Sequence, residues 1–76
     1  MTDPLKDFGL RLVQIRKQQS LSQEKLALDS GLARSYLSGV ERGKRNISLL
    51  NIHKLASILK VPASVLLEPP DNSLQE

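Results

Sequence analysis

The chain has 76 residues, with 11 Lys and Arg against 8 Asp and Glu, no cysteine and a single histidine, His53. A chain of this length holds one domain and buries only about 60% of the surface that it exposes when unfolded. Without cysteine there is no disulfide framework or thiolate metal site, one imidazole makes no metal cluster, and no apolar run approaches the roughly 18–20 residues of a membrane helix.

Asp3 followed by Pro4 reads as an N-cap with proline at the first helical position. Leu5, Phe8, Leu12 and Ile15 then recur at spacings of three and four, which predicts an amphipathic helix to about Gln19. Gly9 lies inside it at a cost of about 1 kcal/mol against alanine, so it marks a close approach by another helix. Leu10 and Val13 fall partly off the apolar stripe. Ser22 caps a second helix, Gln23 to Ser30, with Leu21 and Leu26 spaced for a hydrophobic staple and Gly31 as its C′ residue. After Leu32 and Ala33 a third helix runs from Arg34 to Arg42, with Leu37 and Val40 facing inward, and Gly43 stops it. Two short helices joined through a glycine-containing turn have the geometry of a helix-turn-helix.

The basic loop Lys44-Arg45-Asn46 follows, and Ser48 caps a fourth helix whose Ile52, Leu55, Ala56 and Leu59 share one apolar face. Val61-Pro62 breaks it, and a short fifth helix spans about Ala63 to Leu67. The chain is expected to be an all-α domain of five helices over residues 1–68, with a disordered acidic tail over 69–76. Three of the eight acids, Glu68, Asp71 and Glu76, fall in the last nine residues, so residues 1–67 hold 11 bases against 5 acids, a net +6. That balance suits a polyanionic partner. Ordinary solubilising charge explains it equally well at this point.

The run Leu21-Ser22-Gln23-Glu24-Lys25-Leu26-Ala27, then Gly31-Leu32, then Tyr36-Leu37-Ser38-Gly39-Val40-Glu41-Arg42-Gly43 resembles the lambda-repressor-like helix-turn-helix family, also called XRE or Cro/repressor-type. Leu55-Ala56 and Leu59-Lys60-Val61 match its closing helices, so the resemblance covers roughly residues 5–67. The stretch Arg34 to Arg42, with Arg45-Asn46 after it, is similar to the controller proteins of restriction–modification systems. One departure is Ala33, where family members often place Ser, Thr or Asp.

The resemblance implies binding to double-stranded DNA, with the third helix in the major groove and its N-terminal residues at the base edges. Those residues are Arg34, Ser35 and Tyr36, with Ser38 one turn further on. Arg34 is placed to donate twice to guanine, the alternative being a solvated or phosphate-bound arginine. Tyr36 is placed for a thymine methyl or the sugar-phosphate backbone, or else packs within the helix pair. Gly39 removes bulk either facing DNA or at a helix–helix contact. Gln23 and the loop residues Lys44, Arg45 and Asn46 are expected at phosphates, a solvated charged face being the alternative. In the resembling family Arg16 and Glu41 form a pair that orients the reading helix.

One short helix reads few base pairs, so a homodimer on a pseudo-palindrome is expected. Val65 and Leu67 of the fifth helix are the expected interface, joined by the end of the fourth; Leu10, Val13 and Leu50 are alternatives, and simple core or scattered exposure is the bland reading of all of them. The expected function is transcription regulation from an operator, with RNA polymerase as a further partner where activation occurs. An antitoxin-like or phage-repressor-like protein that also holds a partner polypeptide is the alternative. No enzyme, cofactor, metal or membrane role is expected, and the location is expected to be cytoplasmic and nucleoid-associated.

Overall fold

The computed structural model describes residues 3–71, which form five helices: α1 (Pro4–Gln18), α2 (Gln23–Ser30), α3 (Arg34–Glu41), α4 (Leu49–Leu59) and α5 (Ala63–Leu66). Local chemistry sets most of the boundaries. The Asp3 carboxylate accepts from the backbone N–H groups of Leu5 and Lys6, Ser22 Oγ from that of Lys25, and Ser48 Oγ from that of Asn51. Each cap satisfies donors that the first helical turn leaves without an intrahelical acceptor. Gly31 closes α2 in the left-handed region at φ 74°, where a side chain is disfavoured. Only Leu32 and Ala33 then separate α2 from α3. Ala33 gives α3 no side-chain cap, and the helix still begins at Arg34.

The core is built from the apolar stripes. Leu12, Leu26, Leu37, Leu55, Leu59 and Leu66 have no accessible surface, and Phe8, Ile15, Val40 and Ile52 pack with them. Each fully buried leucine contributes about 2 kcal/mol relative to exposure. Around this core α1 packs against α3 and α5, α2 against α3 and α4, and α4 against α5. No helix among the described residues is long and apolar enough to cross a membrane.

The end of α3 is pressed onto α1 at three levels. A Cβ on Gly9 would lie 2.5 Å from the Glu41 carbonyl oxygen and 2.6 Å from that of Val40, so the helix contact expected there is with the last turn of α3. Gly43 meets the first turn of α1, where its Cβ would lie 2.8 Å from Lys6 Cα. Arg16 reaches the Glu41 side chain two turns further along α1. At the other end of the molecule Gln19 donates to the Leu59 carbonyl at 2.6 Å, tying α1 to the end of α4.

Residues 69–71, expected as the start of a disordered tail, are placed against α1. Gln14 is buried on α1 and pairs with both backbone groups of Asp71, so the packed chain continues to residue 71. The polar side chains of Arg11 and Gln14 on α1 hold this segment. The rest of the expected tail, 72–76, lies outside the described residues.

Candidate nucleic-acid interface

Successive residues of a helix turn by about 100°, so Arg34, Ser38 and Ser35 fall within one sector of α3. Arg34 and Ser35 are exposed and Ser38 is half-buried. Leu37 and Val40 point away from that sector into the core, and Glu41, two turns after Arg34 and nearly in line with it, is buried at the end of the helix against α1. The helix therefore has its back in the core and presents a short face of one guanidinium and two hydroxyls. These groups can donate and accept at base edges.

Behind that face sits a connected polar network. Arg16 Nε donates to Glu41 Oε2 at 2.8 Å and its Nη2 to Oε1 at 3.0 Å, a bidentate pair whose side chains are 11% and 5% exposed. Surface ion pairs are worth about 0–1 kcal/mol, and removing one partner of a buried pair costs several times more. Arg16 and Glu41 are therefore a buried pair and not two separate surface charges. A third N–H of Arg16 goes to the Leu21 carbonyl at 2.9 Å, just ahead of the α2 cap. One carboxylate thus couples α1 to α3, and one guanidinium couples both to the start of α2.

Gln23 joins the same network. Its Nε2 donates to Glu41 Oε1 at 2.9 Å, and its Oε1 faces Arg34 Nε at 3.5 Å. The amide nitrogen carries a second hydrogen, which remains for an outside acceptor such as a phosphate oxygen. Arg34 also lies 3.9 Å from Glu24, with both side chains well exposed. That exposed contact is weak enough to yield to a ligand.

Tyr36 is held differently from Arg34, Ser35 and Ser38. It is half-buried against the core, and its hydroxyl accepts from Asn51 Nδ2 at 3.2 Å. On the helix it lies beyond Ser35, turned toward α4 and away from the sector of Arg34 and Ser38. The guanidinium of Arg45 lies over the ring, 5.8 Å from its centroid. Gly39 fits neither expected role. A Cβ there would lie 2.5 Å from Arg45 Cγ, so the missing side chain makes room for the stem of Arg45 returning from the loop. Tyr36 and Gly39 together seat Arg45, while Lys44 and Asn46 on either side of it are exposed.

A family model described as Helix-turn-helix matches residues 12–66, a span that contains α2, α3 and the whole of this network. The chain belongs to the helix-turn-helix family. Control protein C.BamHI of Bacillus amyloliquefaciens is 48% identical over 62 residues, 80% of this chain and 76% of that protein. The restriction–modification controller protein C.AhdI from Aeromonas hydrophila has a solved structure similar at TM-score 0.80 and 55% identity, over 82% of this chain and 94% of that one. SinR, described as the master regulator for biofilm formation and solved in complex with DNA, matches at TM-score 0.76 and 37% identity, over 80% of this chain and 98% of that one. The family is one of DNA-binding regulators rather than enzymes, and this member is a DNA-binding regulator of transcription.

Within the helix-turn-helix frame α3 is the reading helix and α2 its support. The residues expected at a dimer face divide. Leu67 is 61% exposed, whereas Val65 is half-buried against the core and its carbonyl accepts from Arg11 Nε at 2.9 Å. Among the alternatives Leu10 and Leu50 are exposed and Val13 is half-buried. Asn51 had no sequence signal for its contact with Tyr36, because 15 residues and a loop separate the two.

Proposed function

We propose that the protein is a homodimeric regulator of restriction–modification genes that reads a pseudo-palindromic operator. The observation that carries this reading is the α3 face of Arg34, Ser35 and Ser38, held rigid from behind by the buried Arg16–Glu41 pair. In this reading Arg34 donates to a guanine and the two serines contact neighbouring base edges. Gln23, Lys44, Arg45 and Asn46 bind phosphates on the two flanks of the groove, and Tyr36 acts through Arg45 as its platform. The similarity to two controller proteins supports control of restriction–modification genes.

Size supports the dimer. The molecule extends 32 × 23 × 21 Å and carries one reading helix. Equivalent major-groove faces recur about every 34 Å along the duplex, so two copies are needed to read two half-sites. Leu67, on the exposed side of α5, contributes apolar surface to that contact. Repression follows from occupying a promoter, and activation would add a contact with RNA polymerase in the cytoplasm.

Selection of bound fragments from random duplexes tests the proposal. The expected product is an inverted repeat with half-sites about 10 base pairs apart, centre to centre, bound by two copies. Recovery of asymmetric sites bound by a single copy would contradict it, and co-purification with a second polypeptide in place of DNA would favour an antitoxin-like role.

A further inference from the structure

We propose that Arg11 and Gln14 are positioning residues for dimerisation, anchoring the segment after α5 and thereby setting the pose of the α5 face. This rests on the reading above that α5 forms the dimer contact. Arg11 and Gln14 are three residues apart on one face of α1, and their partners Val65, Glu68 and Asp71 are spaced by three as well. Arg11 donates from Nε to the Val65 carbonyl at 2.9 Å and from Nη2 to Glu68 Oε1 at 3.0 Å. Gln14 Nε2 donates to the Asp71 carbonyl at 2.7 Å, and the Asp71 N–H donates to Gln14 Oε1 at 2.8 Å. One side-chain amide thus pairs with both backbone groups of a single residue, as a neighbouring strand would.

α5 needs such help. It has four residues and no side-chain N-cap, too short to hold itself as a helix. Beyond it, Pro69 and Pro70 have restricted backbones and no N–H groups, so this stretch is stiff but makes few bonds of its own. Toward the start of α1 the segment does not close on the helix. An open cleft of about 340 Å³ lies there, lined in part by Pro4, Phe8, Leu67 and Pro69. The stiff segment is therefore fixed by the buried Leu66 and by its polar anchors at Arg11 and Gln14, and Leu67 lies between these points. Loss of the anchor at Asp71 leaves Leu67 held firmly from one side only, with the exposed Arg11–Glu68 contact alone beyond it.

Two variants of the full chain test this. Gln14→Leu replaces the amide by an apolar side chain of similar volume, and Asp71→Pro removes the N–H that bonds to Gln14 together with the Asp71 carboxylate, at an exposed site too peripheral to unfold the core. Sedimentation gives the dimer dissociation constant, and titration compares a duplex carrying the selected palindrome with one carrying half of it. Both variants are expected to weaken the dimer about tenfold, the scale of one or two lost hydrogen bonds. Binding to the palindrome should fall while half-site binding and the unfolding midpoint stay near wild type. A third variant, Leu67→Glu, reports on the α5 face itself. If Leu67→Glu weakens the dimer and the other two leave it unchanged, the anchoring role is overturned alone. If Leu67→Glu leaves the dimer intact, the α5 interface fails and the anchoring role with it. Equal loss of half-site and palindrome binding in Gln14→Leu and Asp71→Pro would also overturn it.

Discussion

Arg16 and Glu41, 25 positions apart, meet through two parallel hydrogen bonds at 2.8 and 3.0 Å in a site almost closed to solvent. Glu41 is the last residue of α3, so this pair fixes the end of the reading helix against α1. Through Gln23 the same carboxylate also reaches the start of α2. Three helices therefore share one charge, and the two that must stay in register on DNA are joined by it.

The pair should be costly to break from one side. Arg16→Met leaves the Glu41 carboxylate buried with Gln23 as its remaining partner, and should lower unfolding free energy by about 3 kcal/mol. The double variant Arg16→Met with Glu41→Leu should recover most of that loss, because no charge stays buried alone. Urea unfolding of the wild type and the two variants measures both effects. Equal destabilisation by the single and double variants would mean that packing, not charge, governs the site.

Gly9 and Gly31 should respond oppositely to what helix propensity suggests. Gly9→Ala gains about 1 kcal/mol of propensity. Its Cβ, however, meets two backbone carbonyls of α3 at 2.5 and 2.6 Å, and neither can move without displacing the reading helix. A net loss of about 2 kcal/mol or more is expected from such overpacking. Gly31→Ala has nothing within 4 Å of its Cβ. It should cost only the left-handed backbone penalty, about 1–2 kcal/mol. Denaturant midpoints for the two variants, taken together, test the ordering.

Gly39→Ala separates stability from binding. The new methyl faces Arg45 Cγ, which belongs to a side chain able to swing away. Folding should change by less than about 1 kcal/mol, since propensity offsets the local crowding. DNA binding should weaken severalfold because Arg45 leaves its seat over Tyr36. A variant that unfolds, or one that binds DNA unchanged, would contradict this assignment.

Arg45→Ala should weaken binding to all duplexes alike and reduce the slope of log affinity against log salt by about one unit. Affinity measured across a salt series on a selected and a random duplex gives both numbers. A loss confined to the selected duplex would instead place Arg45 at a base.

Much of this architecture is visible in the sequence because its causes are local. Asp3, Ser22 and Ser48 cap helices by bonding to N–H groups two or three residues away, and Gly31 ends α2 through its own backbone angle. Gly9 could be read as a close approach because a helix interior tolerates glycine only for a reason. The partners in the site are another matter. Gly39 looks like a DNA-facing or helix-facing gap, yet it receives Arg45, six residues on, after the chain has turned at Gly43. Tyr36 reads as a contact for DNA or as packing within the helix pair, and nothing local signals that α4 brings Asn51 to its hydroxyl. Gln14 carries no signal in the sequence, and only tertiary structure brings Asp71 to it across 57 positions. Periodicity and capping specify the helices, but which polar groups meet depends on how those helices cross.

The reading of bases by Arg34 is tested most directly by comparing Arg34→Ala with the wild type on a panel of duplexes, each altered at one base pair of the selected site. Loss of about 1–3 kcal/mol of discrimination at one base pair in each half-site, with the other positions unaffected, is the predicted result. An equal loss of affinity on every duplex, with discrimination intact at all positions, would contradict it and leave Arg34 a phosphate contact.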